Sequence, residues 1–407
     1  MEPVLTAEFF AGNRKHLRKL FTGTAPIVMS AHGLLQQTAD STLPFHQESN
    51  FWYLTGIDEP DILLVMDKDK EYLILPERDE SIELFDGRIS PETLQARSGI
   101  SAIYDQKTGW QMLSARLHKV RHVATIAAPP AYIDHYGFYT NPSRARLIQQ
   151  LKDSNSDLEL LDIKDHLTRL RMVKQPPELL ALKRAIAVTA QTFKKTMRRR
   201  QSYAFEYEIE ADFSREFRRH GMRHGYQPIV AGGVNAGTIH HIDNDAPISK
   251  RDLLLIDIGA ECEHYTADIT RTYALQEPTK LQQSVFDTVL EVQNFAFSLL
   301  KPGVIMKEYE DLVCAYMGEK LRELGLIKSI STDEIRKYFP YLTSHFLGLD
   351  AHDTADYKRP LEQGMVLTVE PGIHIPEKNI GIRIEDDVLI TRSGIKILTA
   401  ALPRILW

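Results

Sequence analysis

The sequence contains little cysteine and no long apolar run. Its 407 residues include only two cysteines, Cys262 and Cys314, too few for the disulfide framework of a secreted chain of this size. No apolar stretch approaches the roughly 20 residues that a membrane-spanning helix needs. The first ten residues lack the basic and apolar regions of a secretory signal. We therefore expect a cytoplasmic protein with no membrane partner.

An excess of positive charge is absent as well. The chain has 49 Lys and Arg against 55 Asp and Glu, a formal net charge of -6, so a nucleic-acid-binding surface is not expected. The one basic run, 194–200, falls in a predicted helix and is interpreted as a solvent-exposed face. A chain of this length exceeds one ordinary hydrophobic core, which favours two domains.

Two kinds of pattern divide the chain. In the first part, short β-rich runs alternate with amphipathic stretches, which indicates an α/β domain. The predicted strands are 27–31, 51–54, 62–66, 72–75 and 123–127, and the predicted helices are 8–20, 110–118 and 143–152.

A pair of prolines, Pro176 and Pro177, marks the boundary between the two parts. Long helices are predicted from there to about residue 200, at 281–300 and at 309–324, and hairpin-like strands lie between them. We therefore predict an α/β domain over residues 1–172 and an α+β domain over 173–407.

A first pair of acids lies in the segment 253–273, which reads LLLIDIGAECEHYTADITRTY. It predicts two antiparallel strands around a tight turn near Cys262 and Glu263, in a register that sets Asp257 directly opposite Asp268. The Cβ atoms of such partners lie about 4.5–5.5 Å apart. Two opposed carboxylates destabilise a strand pair unless one is protonated or a cation lies between them.

A second pair of acids lies in the segment 365–386, which predicts another hairpin with its turn at 376–379. Here the register sets Glu370 opposite Glu385. Exposed faces would explain one such pair, but the β-branched and leucine residues around both pairs indicate buried strands. Buried charges need a partner or a metal ion.

Four carboxylates and a histidine are enough to bind two divalent ions about 3.5–4 Å apart. In the segment 343–353, which reads TSHFLGLDAHD, His345 and His352 are both candidates on spacing alone. A lone histidine of this kind is more often an ordinary core or surface residue, so spacing does not decide. Cys262 is interpreted as a bystander, because oxygen ligands predominate.

Several motifs occur together in a specific order. They are Asp257-Ile-Gly with ADITRT at 267–272, SHFLGLDAHD at 344–353, VEPG at 369–372 and IRIEDD at 382–387. The set resembles the pita-bread metallopeptidases and, among them, the bacterial-type Xaa-Pro aminopeptidase (aminopeptidase P) family. TADS at 38–41 and PFHQESNFWYLTG at 44–56 resemble that family's N-terminal domain, which methionine aminopeptidases usually lack.

The resemblance implies a pita-bread catalytic domain that removes the first residue from peptides with proline in second position. One ion would be held by Asp257 and Asp268. The other would be held by Asp268, His345, Glu370 and Glu385, with bridging carboxylates. The resemblance favours manganese, with zinc, cobalt or iron as alternatives. A hydroxide bridging the ions would attack the carbonyl before proline, because bound metal lowers the pKa of water.

The resemblance also assigns roles to residues around the metal ligands. Glu370 matches a general base, and His352 matches a residue that hydrogen-bonds the substrate carbonyl. His240 matches a histidine that lines the proline pocket, whereas its neighbour His241 is interpreted as structural. Arg383 matches an arginine that ties the acids together, with a solvent-facing position as the alternative.

Departures from the family pattern concern substrate preference and assembly. Tyr341 and His374 stand where many relatives have histidine and tyrosine, respectively, which bears on accepted peptide length. The segment 85–87, Phe-Asp-Gly, replaces aromatic residues that in relatives reach a neighbouring subunit. The resemblance implies a homodimer or homotetramer, to which Asp40 could contribute a contact.

Three other functions remain open. A prolidase of the same fold would cut only Xaa-Pro dipeptides. A non-catalytic pita-bread scaffold would bind peptides without needing the five ligands, all of which are present here. Creatine-type amidinohydrolase chemistry on this fold would not require the metal-binding acids either, so the presence of all five ligands disfavours it on the same ground.

Overall fold

The structure is a computed structural model that describes residues 3–127 and 131–407. The chain forms two compact units, Leu5–Leu170 and Arg171–Trp407, the second of which also includes Pro3 and Val4. Each contains its own hydrophobic core. Among the described residues, no helix combines the length and apolarity required to span a bilayer.

The first unit is built on a mixed six-stranded sheet in the order β6-β5-β4-β1-β7-β8. Strand β1 pairs antiparallel with β4 and parallel with β7. The strands are β1 (Ile27–Ser30), β2 (Gln36–Thr38), β3 (Ser41–Thr42), β4 (Leu63–Asp67), β5 (Lys70–Ile74), β6 (Ile103–Tyr104), β7 (His122–Thr125) and β8 (Glu159–Asp162). The helices are α1 (Ala7–Leu20), α2 (Ser49–Thr55), α3 (Glu80–Asp86), α4 (Pro91–Ser98), α5 (Gln106–Leu117), α6 (Ala131–Tyr136), α7 (Ser143–Ser154) and α8 (Lys164–Met172), the last of which runs across the boundary. This architecture confirms the predicted α/β class.

The strand predicted at 51–54 is wrong, because this segment lies in helix α2. The Glu48 side chain accepts a hydrogen bond from the Phe51 N–H at 2.6 Å, and Gly56 ends the helix in a left-handed conformation with φ 67°. The aromatic run suggested a strand, but all residues from Phe51 to Thr55 are buried, and the two caps favour one short buried helix.

The second unit combines long helices with antiparallel strands, which confirms the predicted α+β class. Its helices are α9 (Pro176–Arg198), α10 (Glu206–Arg219), α11 (Lys280–Leu299), α12 (Met306–Glu323) and α13 (Thr332–Arg336). Its strands are β9 (Arg223–His224), β10 (Ile229–Gly232), β11 (Leu253–Asp257), β12 (Ala260–Cys262), β13 (Tyr265–Thr266), β14 (Thr270–Ala274), β15 (Val366–Val369), β16 (Gly372–Ile375), β17 (Ile380–Arg383), β18 (Asp386–Ile390) and β19 (Ile395–Ile397). Helix α10 was not predicted.

The register predicted for the first acid-bearing hairpin is wrong by two residues. Asp257 is paired with Thr270 in the β11–β14 ladder, and Asp268 lies two residues before that partner. The turn consists of Glu263 and His264, both with positive φ, as a two-residue type I′ turn requires. The two acids are therefore diagonal neighbours on one face rather than direct partners, still within reach of each other.

The register predicted for the second hairpin is confirmed. Val369 pairs with Asp386 before the acids, and Gly372 pairs with Arg383 after them, so Glu370 and Glu385 face each other between the two ladders. The turn lies at 376–379, where Asn379 adopts a left-handed conformation with φ 51°. This hairpin therefore brings its two acids together directly.

Candidate metal centre

Two threonines join the hairpins side by side. The Thr270 carbonyl accepts a hydrogen bond from the Glu385 N–H at 3.0 Å, and its hydroxyl donates to a Glu385 carboxylate oxygen at 2.7 Å. Thr272 exchanges two further hydrogen bonds with the backbone of Arg383, both at 3.1 Å. The acids of the two hairpins are thereby brought to one place.

The structure brings four of the predicted ligands into a tight, buried cluster. One ligand atom each from Asp268, His345 and Glu385 lies within 4.8 Å of the other two. The Nε2 atom of His345 is 3.1 Å from Glu370 Oε1 and 3.6 Å from Asp268 Oδ2. These residues are among those predicted to hold divalent ions.

Asp257, the fifth predicted ligand, is held by partners within the protein. Its Oδ2 atom accepts a hydrogen bond from Arg383 Nη2 at 2.5 Å, and its Oδ1 atom accepts one from the Tyr226 hydroxyl at 2.6 Å. Arg383 is only 2% exposed and also donates to the Thr270 hydroxyl at 2.9 Å. The solvent-facing alternative for Arg383 is therefore wrong.

The cluster carries more negative charge than the protein around it balances. Burial, together with the charge of Asp257, raises the pKa of Asp268. Burial and the charges of Asp268 and Glu370 likewise raise the pKa of Glu385 well above its usual range. Burial alone would lower the pKa of His345, but the hydrogen bond and charge of Glu370 outweigh it and raise that pKa to about 9. These residues suit divalent cations, which neutralise such a set of oxygen ligands.

The imidazole of His345 is oriented for metal binding. Its Nδ1 atom lies 3.1 Å from the Phe346 carbonyl oxygen, so this nitrogen carries the proton and donates it there. The Nε2 atom therefore faces the acids. Its lone pair becomes available when a metal ion replaces the proton on this nitrogen. A backbone carbonyl that fixes the tautomer in this way is a usual feature of metal-binding histidines.

His352 stacks on His345 at the edge of the cluster. The ring centroids are 3.9 Å apart and the planes differ by 11°. His352 is exposed, yet desolvation by the surrounding protein, followed by the charges of His345 and His240, lowers the pKa of its imidazole to about 3. His352 is therefore neutral at physiological pH and can donate a hydrogen bond. His240 itself is exposed, close enough for its charge to act on His352.

Comparison with known proteins identifies the family of this chain. The model of metallopeptidase family M24 matches residues 181–392, and the model of the aminopeptidase P N-terminal domain matches residues 10–124. The chain belongs to metallopeptidase family M24.

Several M24 relatives match over almost the whole chain. The Xaa-Pro aminopeptidase of Haemophilus influenzae is 36% identical over 390 residues, which are 90% of this chain and 87% of that protein. The Xaa-Pro aminopeptidase of Escherichia coli is 32% identical over 98% of this chain and 96% of its own. The solved structure of E. coli aminopeptidase P superposes with a TM-score of 0.85 at 31% identity, covering 98% of this chain and 96% of that one. The fold is thus the predicted pita-bread metallopeptidase fold, preceded by an aminopeptidase P N-terminal domain.

Two residues of this M24 centre escaped the sequence analysis. Thr270 could have been found, because residues two apart in an extended chain share a face and Thr270 is two positions after Asp268. Tyr226 gave no usable signal. It lies in an irregular segment between β9 and β10, far in sequence from the Asp257 that it contacts.

Glu206, on the unpredicted helix α10, supports the loop that carries His240. This fully buried carboxylate accepts hydrogen bonds from the Gly232 N–H at 2.7 Å and the Ala246 N–H at 3.2 Å, near the two ends of the loop. It also lies 3.0 Å from the His241 Nε2 atom. This contact agrees with a structural interpretation of His241.

Tyr341 and His374, the two departures from the family pattern, contact each other. The Tyr341 hydroxyl lies 3.2 Å from His374 Nε2, and His374 Nδ1 lies 2.8 Å from the Ala236 carbonyl oxygen. The guanidinium of Arg383 lies 5.8 Å from the centroid of the Tyr341 ring. The pair therefore packs beside the arginine that holds Asp257.

Cys262 is a free, buried cysteine at the end of β12. Burial, followed by the charge of Glu263, raises the pKa of its thiol to about 11. A thiol with this pKa carries no charge at neutral pH. This protonation state agrees with the bystander interpretation, since a thiolate is the form that binds metals.

Proposed function

We propose that the chain is a dinuclear metal-dependent Xaa-Pro aminopeptidase. The observation that carries the proposal is the buried convergence of Asp257, Asp268, Glu370 and Glu385 with His345, in a chain whose relatives over nearly its full length include Xaa-Pro aminopeptidases. Two divalent ions at this cluster would supply an activated water and polarise the peptide carbonyl.

The proposed roles follow from position and protonation state. Glu370 accepts the proton of the attacking water and passes it to the proline nitrogen that leaves. His352, neutral and at the edge of the cluster, donates a hydrogen bond to the carbonyl oxygen as negative charge develops there. Arg383 fixes Asp257 in position to bind metal. His240 borders the space for the proline ring.

The metal would be manganese, with zinc, cobalt or iron as alternatives that the same oxygen and nitrogen ligands accept. One solved relative is zinc-substituted E. coli aminopeptidase P in complex with product, so that protein holds zinc at least after substitution. Metal analysis of protein purified without added metal, followed by reloading with each ion, would identify the native one.

We further propose that residues 1–172 form the N-terminal domain and 173–407 the catalytic domain, and that the protein is a cytoplasmic homodimer or homotetramer. The assignment is supported by the compact units Leu5–Leu170 and Arg171–Trp407 and by the ranges of the two family models. Sedimentation analysis of the purified protein would determine the number of subunits.

A paired substrate assay tests the function. With Mn²⁺ supplied, the protein should release arginine from Arg-Pro-Pro, and Asp268→Ala and Glu370→Ala should abolish turnover while circular dichroism stays unchanged. Hydrolysis of Arg-Pro alone would instead identify a prolidase. Release that persists after chelation and in both variants would contradict the proposal.

A further inference from the structure

Two buried, positively charged side chains lie in the boundary segment 171–178. Arg171 is 2% exposed and Lys174 is 5% exposed, although both side chains carry charge. Residues of this kind are rarely buried unless they are paired. None of the roles proposed above uses them.

Both cations bind the same carboxylate, that of Asp353. Arg171 Nη2 donates to Asp353 Oδ1 at 2.5 Å, and Lys174 Nζ donates to Asp353 Oδ2 at 2.8 Å. Lys174 Nζ also donates to the Arg171 carbonyl oxygen at 2.7 Å, which ties the two cations together. Each oxygen of Asp353 thus has its own charged donor, a strong and directional arrangement.

Asp353 directly follows His352 and closes the loop that carries it. The Asp353 N–H donates to the Phe346 carbonyl oxygen at 2.9 Å. The two ends of the loop 346–353 are thus hydrogen-bonded to each other, next to His345. Inside the loop, a Cβ atom on Gly348 would lie 2.1 Å from Asp353 Oδ2 and 2.8 Å from Lys174 Nζ. Glycine is required there because the charged groups occupy the space that a side chain would need.

Stability alone is a weak reason for this cluster. Taking charges out of water is costly, and well-packed apolar residues of similar volume often stabilise a protein as much or more. A carboxylate with both oxygens fixed does, however, determine the position of the backbone beside it. The cluster therefore supplies a rigid support for the neighbouring His352, whose ring must keep its place on His345.

We propose that Asp353, held by Arg171 and Lys174, is a positioning residue for His352. This inference rests on the proposed function of His352 as the residue that stabilises the developing charge. It assigns a role in the reaction to the boundary segment, which contributes no side chain to the metal cluster itself.

The test is Asp353→Asn, with Asp350→Asn as the matched control. Asp350 lies in the same loop and also binds Arg171, at 2.8 Å, but its side chain is 43% exposed. Asp353→Asn should lower kcat on Arg-Pro-Pro by about 10–100-fold, with KM and the bound metal nearly unchanged. Asp350→Asn should change kcat by less than about threefold. Equal effects of the two substitutions on kcat would overturn the proposal.

A double-mutant cycle separates positioning from a general structural role. If Asp353 acts through His352, then Asp353→Asn should cost little further activity in a His352→Ala background. A full additional loss in that background would overturn the proposal. Should Asp353→Asn fold poorly, Lys174→Met removes one of the two charged donors and should lower kcat in the same direction, again only when His352 is present.

A crystal structure of Asp353→Asn gives a readout that does not need activity. The His352 ring should leave its stacked position 3.9 Å from His345. An unmoved ring would overturn the positioning role. Wild-type protein that releases nothing from Arg-Pro-Pro would instead refute the proposed function, and the ring position would still decide whether Asp353 holds His352.

Discussion

The acids of the metal centre are in two different electrostatic states, because Asp257 is paired with an arginine whereas Asp268, Glu370 and Glu385 repel one another. On the first hairpin, Asp257 already has a counter-charge, because Arg383 binds it directly. Asp268, also on the first hairpin, meets Glu370 and Glu385 of the second. The charges of His345 and Arg383 do not offset the burial and mutual repulsion that raise the pKa of Asp268 and Glu385. One part of the centre is thus neutralised by the protein, whereas the other part needs a cation. The difference indicates which ligands are fixed before metal binds.

The largest effect should come from Glu370, the proposed proton acceptor on the second hairpin. Glu370→Gln keeps the shape of the side chain but removes its basicity, so kcat should fall by about 10²–10⁴-fold. Glu377→Gln, at the exposed turn of the same hairpin, is the control and should leave kcat unchanged. Steady-state kinetics on Arg-Pro-Pro would measure both, and a Glu370→Gln enzyme with normal kcat would rule out the proposed role.

The comparison also predicts opposite effects on the stability of metal-free protein. Asp257→Asn leaves Arg383 buried without its carboxylate and should lower the free energy of unfolding by about 3–5 kcal/mol. Asp268→Asn removes one of several mutually repelling acids and should raise it, by about 1 kcal/mol or more. Denaturant unfolding in the presence of a chelator would measure both changes. Asp287→Asn, an exposed acid on α11, should stay within about 0.5 kcal/mol. Changes of the same sign at Asp257 and Asp268 would contradict the comparison.

The pH dependence of the stability of the metal-free protein should follow from His345 and Asp268. The pKa of His345 rises from 6.5 to about 9, so its stabilising contribution is complete below about pH 6.5 and is lost as pH rises through 9. The raised pKa of Asp268 acts in the same direction, because this carboxyl penalises the folded state as pH rises above 3.8. The Tm of the metal-free wild type should therefore fall relative to that of Asp268→Asn between about pH 4 and 8, the interval over which the carboxyl is ionised in the unfolded chain and protonated in the folded one. Thermal scans at several pH values would show it, and a constant difference would contradict the assignment.

The smallest effect is expected at Cys262, which lies on the first hairpin close to Asp257 in sequence. Because burial keeps its thiol protonated, Cys262→Ala should leave kcat within about twofold and should not change the number of bound ions. Metal analysis and kinetics would check this. A loss of bound metal would show that the first hairpin contributes a sulfur ligand after all.

The registers of the two hairpins differ in how well the sequence predicts them, for a physical reason. The turn of the second hairpin was marked by Pro376 and Asn379, and its register was predicted correctly. The turn of the first uses Glu263 and His264 in a conformation that usually favours glycine or asparagine, so the sequence predicts the turn one position too early, near Cys262 and Glu263. The error moved Asp268 by two positions but kept it on the same face, which is why the ligand set was still recognisable.

Contacts between distant segments could not be predicted in the same way. Tyr226, Glu206 and Arg171 reach the centre or its supporting loops from irregular segments or helices, without a periodic pattern that points to their partners. The same is true of α2, where burial and two caps outweighed the strand preference of consecutive aromatic residues. The pattern of a strand or helix indicates which face is buried, but only packing determines what that face meets.

The hydrogen bond between Tyr341 and His374 has a defined donor and acceptor. Burial, with the charge of Arg383, lowers the pKa of His374 to about 4, so the ring is neutral. Its single proton is on Nδ1, where it is shared with the Ala236 carbonyl oxygen, and Nε2 can only accept. The Tyr341 hydroxyl must therefore donate its hydrogen to His374 Nε2. Any further group that approaches this oxygen has to bring a proton, as a peptide N–H does and a carbonyl does not.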